Sequence, residues 1–448
     1  MAVAKTGAGS MGTARLRPAL ALVLIGILAI SSCAIHPRGE RAERELARKA
    51  YAREELKPLS ADASLEEVLN YAYRANADLE RLYWEWIAAL EAIPQDASPG
   101  TNLALSVESM FEEGATSLQR TTLGVGNDPM TNLPWPGKLA TAGAKSLESA
   151  RAAGFRFQAG KLELRAKVLS AYYAYALLAE SVRLKQREVS LLTTAASSAE
   201  GSFTVSKASA MELLEARNAR DLAINDLENL RAQVPSRLAD LNALLSREAA
   251  APLELPGELP PARNLPYTDA EILGFVAERN PELEALAHDA RANEQAVKLA
   301  RQQYIPDLGL TLSGDLEGMT KSIMAMITAP VVRREAIEAS ISQARAELEA
   351  SRAMRRQAAN DLAAQTVLAL YDLRSAERQV ALLQTTLIPR LAQRVEVARG
   401  AYAAGQASLG EVVEAEIMLL KMNLMAAEMR MERETMLAEI ERLAAISG

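Results

Sequence analysis

Tyr402-Ala-Ala-Gly405-Gln406-Ala-Ser408-Leu-Gly-Glu411-Val-Val-Glu414-Ala415 decides how this chain is read. A long, Ala-rich, periodic segment with few breakers precedes it, and another follows almost to the last residue. Gly405 can take the positive φ that ends a helix. Ser408 with Glu411 three residues on forms a capping box, the signature of a helix start. The stretch is therefore the tip of a hairpin of two very long helices. The same tip stands earlier as Phe203-Thr-Val-Ser206-Lys207-Ala-Ser209-Ala-Met-Glu212-Leu-Leu-Glu215-Ala216. Phe203 matches Tyr402, Ser209 matches Ser408, and Glu212 and Glu215 match Glu411 and Glu414, all 199 positions apart.

The duplication extends beyond the tips. Ser64-x-x-Glu67 and Thr268-x-x-Glu271 are further capping boxes, each opening a helical pattern. Asn76-Ala-Asp-Leu79-Glu80 matches Asn280-Pro-Glu-Leu283-Glu284 at an offset of 204. Val168, Leu169 and Tyr172 match Val367, Leu368 and Tyr371 at 199. The chain is a tandem duplication with a unit of about 200 residues.

Between the first helix and the long hairpin of each copy the apolar period falls to two. Leu103, Leu105 and Val107 alternate in the first copy, and Leu308, Leu310 and Leu312 in the second. Glycine-containing turns (Gly114; Gly314 and Gly318) and second alternating runs at 118–126 and 322–328 follow. Each copy thus carries one β-hairpin, giving four strands whose read lengths fall short of a membrane span. Four strands leave open edges, and closure with other copies of the chain would remove them. From Lys138 to about Ala199, and from Glu335 to Ala398, only isolated glycines and Pro389 interrupt the helical pattern. Some 60 residues of helix at ~1.5 Å each give about 90 Å, too long to stand without a coiled-coil partner. The return arms Ser209–Leu245 and Ser408–Ile446 supply one.

Composition agrees: 49% hydrophobic residues but only 4% aromatic, mostly Ala and Leu, favours long helices over a β-rich core. The N-terminus is a sorting signal. Lys5, Arg15 and Arg17 precede the apolar run Ala19–Ile30, which is too short to span a bilayer comfortably. It ends in Ile30-Ser31-Ser32-Cys33, and Cys33 is the sole cysteine, so no internal disulfide forms. Met11 is an alternative start. Formal charge is −7; removal of residues 1–32 takes away three cations and leaves −10, which argues against nucleic-acid binding. The organisation expected is a signal over 1–32, a tether over 33–63, a first repeat over 64–251, a Pro-rich connector over 252–267 and a second repeat over 268–448.

Ile30-Ser31-Ser32-Cys33 resembles the lipobox of bacterial lipoproteins, which implies acylation of Cys33, and Ala34 after it implies sorting to the outer membrane. Helix, β-hairpin, long helical hairpin and Pro-rich connector, twice over, resemble the TolC-like outer-membrane efflux proteins across the mature chain. Asn280-Pro281-Glu282-Leu283, Tyr304-Ile-Pro306-Asp-Leu308 and the tip ending in Gly405 carry the resemblance. Pro134-Trp135-Pro136-Gly137-Lys138 resembles the branch that serves heavy-metal and cation exporters. Ser206, standing where the second copy has Gly405, departs from it. The resemblance implies a mainly α fold with a small β part, in which three chains share a twelve-stranded barrel continued by an α-helical tunnel. It implies a passive exit duct of a tripartite efflux pump. Its partners would be a periplasmic adaptor, docking at Ser206, Lys207, Ser209, Gly405, Gln406 and Ser408, and an inner-membrane transporter. No cofactor is implied beyond the lipid on Cys33. The alternatives are a periplasmic adaptor, which would need a larger β region and no duplication, and a coiled-coil lipoprotein without a pore.

The resemblance places Glu411 and Glu414 at the periplasmic aperture, where three chains would set six carboxylates around one axis. The other reading is a helix cap and a surface charge. Met418, Met422, Met425, Met429 and Met436 form a stripe that reads as coiled-coil core rather than a soft-metal site. Trp135 sits beside a strand exit, whereas Trp84 and Trp86 read as packed. His36 and His288 are too few and too separated to form a metal site, and no nucleotide-binding, zinc-protease or serine-hydrolase motif occurs. The chain therefore reads as a non-enzyme.

Overall fold

The computed structural model describes residues 35–51, 57–98, 102–112, 115–126, 134–205, 209–254, 256, 259–315, 321–328 and 333–446. The signal, Cys33, the turns at Gly114 and Gly318, and tip residues Ser206 and Lys207 lie outside the described residues. Two compact units form. One takes in residues up to Arg41, Ala89–Ser149 and Ala290–Glu349; the other takes in Ala42–Ala88, Ala150–Asp289 and Ala350–Gly448. Each unit draws on both sequence copies.

The helices are α1 (Glu40–Ala50), α2 (Leu65–Ala75), α3 (Ala77–Asp96), α4 (Pro136–Thr204), α5 (Ala210–Leu244), α6 (Asp269–Arg279), α7 (Pro281–Gln302), α8 (Arg334–Leu382), α9 (Ile388–Ala403) and α10 (Leu409–Leu443). The strands are β1 (Asn102–Glu112), β2 (Ala115–Gly126), β3 (Asp307–Asp315) and β4 (Lys321–Thr328). α1 falls within the stretch read as a tether. The strands run 11, 12, 9 and 8 residues, longer than the sequence suggested and close to the roughly 9–11 residues that cross a bilayer. They form one antiparallel sheet in the order β1-β2-β3-β4. The central pairing, Thr122↔Asp315 to Gly126↔Thr311, joins the hairpin of one copy to that of the other. Among the described residues β1 and β4 each have a single strand neighbour.

In the same unit Lys138, from the Pro-Trp-Pro-Gly-Lys stretch, donates to Asp307 Oδ1 at 2.6 Å and to the Ile305 carbonyl at 2.8 Å. This half-buried clamp ties the start of α4 to the start of β3. A cluster of Val297, Ala300, Ile337, Ile341 and Ala344 packs α7 on α8.

In the second unit all four expected capping boxes form: Ser64 with Glu67, Ser209 with Glu212, Thr268 with Glu271, and Ser408 with Glu411. Ile272 and Val276 of α6 pack with Leu370 and Leu373 of α8 and with Leu437, Ile440 and Leu443 of α10. Trp86 lies flat against α4: a Cβ on Gly154 would meet its ring at 2.8 Å, so this helix position must be glycine for the indole to seat.

Two features differ from the sequence reading. The first helix of each copy is two helices, broken at Asn76 and at Asn280, whose backbones are extended (φ −65, ψ 120; φ −63, ψ 120). Each asparagine serves two helix ends at once. Asn280 Oδ1 accepts from the Glu282 and Leu283 amides at 2.9 and 3.3 Å, capping α7, while its Nδ2 donates to the Leu443 carbonyl at 2.9 Å, closing α10. Asn76 caps α3 through the Leu79 amide at 2.9 Å and donates to Leu244 O of α5 at 2.9 Å. At those return-arm ends Ser246 (φ 50) and Ala445 (φ 52) adopt the left-handed cap, and the Arg247 and Ile446 amides reach back to Asn242 O and Glu441 O.

The second difference is at Pro389. Instead of ending the helix, the chain widens into a π turn, Leu383–Leu387, and continues as α9. The Ile388 amide bonds Leu383 O, one residue further back than in an α-helix. The wider turn makes room for a proline that has no N–H to give and whose ring crowds the preceding turn.

Candidate functional site: the hairpin tips and the connector clamp

α9 closes at Ala403, and Gly405 takes φ +70, the left-handed conformation its lack of a Cβ permits. The Gln406 amide then reaches back to Ala401 O at 2.8 Å, and that of Gly405 to Tyr402 O at 3.0 Å. Three residues later Ser408 opens α10. Its hydroxyl accepts from the Glu411 amide at 3.3 Å, and the Glu411 carboxylate accepts from the Ser408 amide at 3.2 Å. The first-copy tip starts α5 in the same way, through Ser209 and Glu212, with both bonds at 3.2 Å.

Glu411 and Glu414 both face solvent, one helical turn apart on α10. Glu411 serves the cap. Glu414 lies 3.6 Å from Arg394 of α9, both well exposed. On the same seam Arg399 binds Glu416 at 2.6 Å. The matched seam of the first copy is held by Arg217 and Glu200. One chain therefore brings Glu411 and Glu414 to one face of a rigid, capped helix start, with one carboxylate shared with a solvated arginine. The described tip residues Ser209, Gly405, Gln406 and Ser408 cluster at these hairpin ends.

The sequence reading missed a second cluster, where the Pro-rich connector crosses α10. Arg263 donates from Nε to Glu434 at 2.9 Å and from Nη1 to both oxygens of Glu441 at 2.8 and 2.9 Å. Its Nη2 also reaches the Glu434 carbonyl at 3.2 Å. Arg433 donates to Arg263 O at 2.8 Å, and Arg430 to Pro260 O at 3.3 Å. From α4, Arg165 reaches Glu441 at 3.3 Å and the Tyr173 hydroxyl reaches Glu434 at 3.4 Å. Burial alone would lower the Arg263 guanidinium, but Glu441 and Glu434 outweigh it and hold it above its ordinary value. Burial, reinforced by Glu434, pushes the Tyr173 phenol up. The signal was present as two glutamates seven apart on α10, but their partner lies 171 and 178 residues away.

The other singled-out residues fall as follows. Trp86 is buried and stacks on Phe157, Trp84 is exposed with its indole N–H on Glu80, and Trp135 is exposed. The methionine stripe is core only in part: Met418 and Met425 are exposed, whereas Met436 packs against the cluster around Leu437 and Ile440. His36 bonds Glu40 at 2.9 Å, and buried His288 stacks on Phe155. Among the described residues no cluster of His, Cys, Asp and Glu has the arrangement of a metal site, and no helix is long and apolar enough to cross a membrane.

Comparison with known proteins fits this architecture. Residues 273–445, nearly all of the second copy, match the family model described as outer membrane efflux protein. Among curated proteins none matches the chain. Solved structures do. A membrane protein from Pseudomonas aeruginosa is 18% identical with a TM-score of 0.72, over 88% of this chain and 95% of that one. The outer-membrane channel OprN is 16% identical with a TM-score of 0.73, over 93% and 98%. The outer membrane protein VceC from Vibrio cholerae is 16% identical with a TM-score of 0.71, over 86% and 99%. At these identities the likeness is one of fold. The TolC-like resemblance read from the sequence is met both by that fold and by the family match in the second copy.

Proposed function

We propose that this chain, with the fold of the outer-membrane efflux channels and a second copy that matches their family, is the outer-membrane exit duct of a tripartite efflux pump. The observation that carries the reading is the single four-stranded sheet, contributed equally by both copies and unpaired at β1 and β4 among the described residues. An open sheet of bilayer-length strands is stable in a membrane only when its edges are closed. Three chains contribute twelve strands, an even number in the range of outer-membrane barrels. The long helical hairpins continue the barrel as a tunnel on the periplasmic side.

In this reading Cys33 carries the lipid that holds the protein to the outer membrane, and residues 33–63 are the tether. The tips, including Ser206 and Lys207, receive the helices of a periplasmic adaptor, which links the duct to an energised inner-membrane transporter. Glu411 and Glu414 line the periplasmic aperture, where their charge favours cations. The duct carries out no chemistry of its own and needs no cofactor. Purified protein from outer-membrane fractions should migrate as a heat-modifiable trimer and open discrete conductance steps in planar bilayers. A soluble monomer that leaves bilayers silent would favour the poreless coiled-coil alternative.

A further inference from the structure

Within the second unit, α2, α4 and the joint between α6 and α7 surround a cavity of about 560 Å³. Three cations line it: Lys161 and Arg165, one turn apart on α4, and Arg279 at the end of α6. The lining holds one acid, the exposed Glu66 of α2, so positive charge prevails.

None of the three cations has a carboxylate of its own. Lys161 Nζ sits 4.9 Å from the centre of the Tyr73 ring, and the Arg279 guanidinium 4.1 Å from that of Phe275. An aromatic face attracts a cation without accepting its N–H groups in the manner of an oxygen. Among the described residues neither Lys161 nor Arg279 has a hydrogen bond or an ion pair. Arg165 reaches Glu441 at 3.3 Å through Nη2, but Glu441 takes closer bonds, at 2.8 and 2.9 Å, from Arg263. Arg165 Nε is buried and has no acceptor among the described residues. A buried N–H on a charged group is seldom left unpaired, and the cavity that Arg165 lines is where an acceptor can stand. Tyr73 lines the same cavity beside Arg165; burial holds its phenol above the ordinary value against the pull of Arg165, so it remains a neutral donor.

The duplication shows that the fold does not require these charges. At an offset of 199, Lys161 matches Asn360 and Arg165 matches Ala364; at 204, Arg279 matches Ala75. Apolar positions nearby are kept, Leu69 with Leu273 and Val168 with Val367. We propose that this cavity binds a small multivalent oxyanion, a phosphate or a dicarboxylate, between Lys161, Arg165 and Arg279. The anion supplies the missing acceptor to Arg165 Nε and a shared counter-charge to Lys161 and Arg279. Lys161 and Arg165 come from the first copy and Arg279 from the second, so the bound anion braces one copy against the other. The inference stands apart from the channel reading and holds whether or not the chain forms a pore.

The test is calorimetric titration of inorganic phosphate into the full-length, detergent-solubilised protein at fixed ionic strength. One saturable site per chain is expected. Lys161→Gln and Arg279→Gln should each weaken it about tenfold, the factor that one charge-assisted hydrogen bond contributes. Arg237→Gln, which removes an exposed cation on α5 outside the cavity, should bind phosphate as the wild type does. Phosphate should also raise the unfolding temperature of the wild type but not that of the Lys161→Gln, Arg279→Gln double variant. Succinate separates the two anion sources: displacement of phosphate at comparable concentration identifies a dicarboxylate site, and no displacement a phosphate site. Absence of saturable binding, unchanged affinity in both cavity variants, or an equal loss in Arg237→Gln overturns the proposal. Should the cavity variants fail to fold, crystals of the unaltered protein soaked in tungstate decide: a heavy-anion peak lies within hydrogen-bonding reach of Arg165 Nε, or the proposal fails.

Discussion

Replacing Asn280 tests the two-helix junction directly. Its side chain is 3% exposed and makes three bonds: two as acceptor at the start of α7 and one as donor to Leu443 O at the end of α10. Asn280→Ala removes the cap of α7, worth about 1 kcal/mol. It also leaves the Leu443 carbonyl buried without its donor, worth a further 1–3 kcal/mol or so. The expected loss is therefore about 3 kcal/mol. With the junction formed only after the folding transition state, that is roughly a hundredfold faster unfolding. Asn280→Asp separates the two roles, since it keeps the cap acceptor but sets a carboxylate against the carbonyl end of α10, where the helix dipole is negative. It should lose about 2 kcal/mol despite retaining the cap, by the cost of an unmade buried bond. Asn76→Ala removes two bonds rather than three, and Ser246 Oγ still accepts from the Ala77 amide at 3.1 Å, so its effect should be smaller. The assay is the rate of loss of helical circular dichroism in guanidinium for detergent-solubilised protein. An Asn280→Asp protein that unfolds at the wild-type rate would show that the amide donor to Leu443 holds nothing, and would refute the double-cap argument.

The other expectations concern the aperture, the anchor and the seat of Trp86. Glu411→Gln with Glu414→Gln should markedly reduce cation selectivity and block by multivalent cations in planar bilayers. Trimer stability should hardly change, because a glutamine at position 411 still accepts from the Ser408 amide and the Glu414–Arg394 pair is solvated. Unchanged selectivity would return both residues to a cap and a surface charge. Cys33→Ser should abolish incorporation of labelled palmitate, and retained label would exclude that cysteine as the acylation site. Gly154→Ala should destabilise by about 1–3 kcal/mol in thermal or chemical unfolding, because the new methyl meets a rigid indole at 2.8 Å. Combination with Trp86→Phe should recover part of that loss, and no recovery would place the strain elsewhere.

How much was legible in the sequence follows the range of the interactions. The four capping boxes and the turn at Gly405 are written in residues three or four apart, and the structure has them where the pattern put them. The strands were legible as alternation, but their ends were set by pairing with a neighbour, which lengthened them. The recurring Asn76 and Asn280 phrases were visible as repetition. Their double role was not, because each amide donates to a residue more than 160 positions away. Ser246 and Ala445 carry no glycine to announce a left-handed cap. Arg263 looked like one charge in a Pro-rich connector, and only the fold brings Glu434 and Glu441 to it. The unequal exposure of Tyr172 and Tyr371 could not be read from two matching segments, since it depends on what stands beside them.

The most direct test of the channel reading is to count strands by electron cryo-microscopy of the full-length protein in nanodiscs. The account predicts one closed barrel of twelve strands around a single axis, four from each of three chains in the order β1-β2-β3-β4, with β4 of each chain paired to β1 of the next. Particles in which each chain keeps an open four-stranded sheet, or in which the strands lie outside the bilayer, would contradict it.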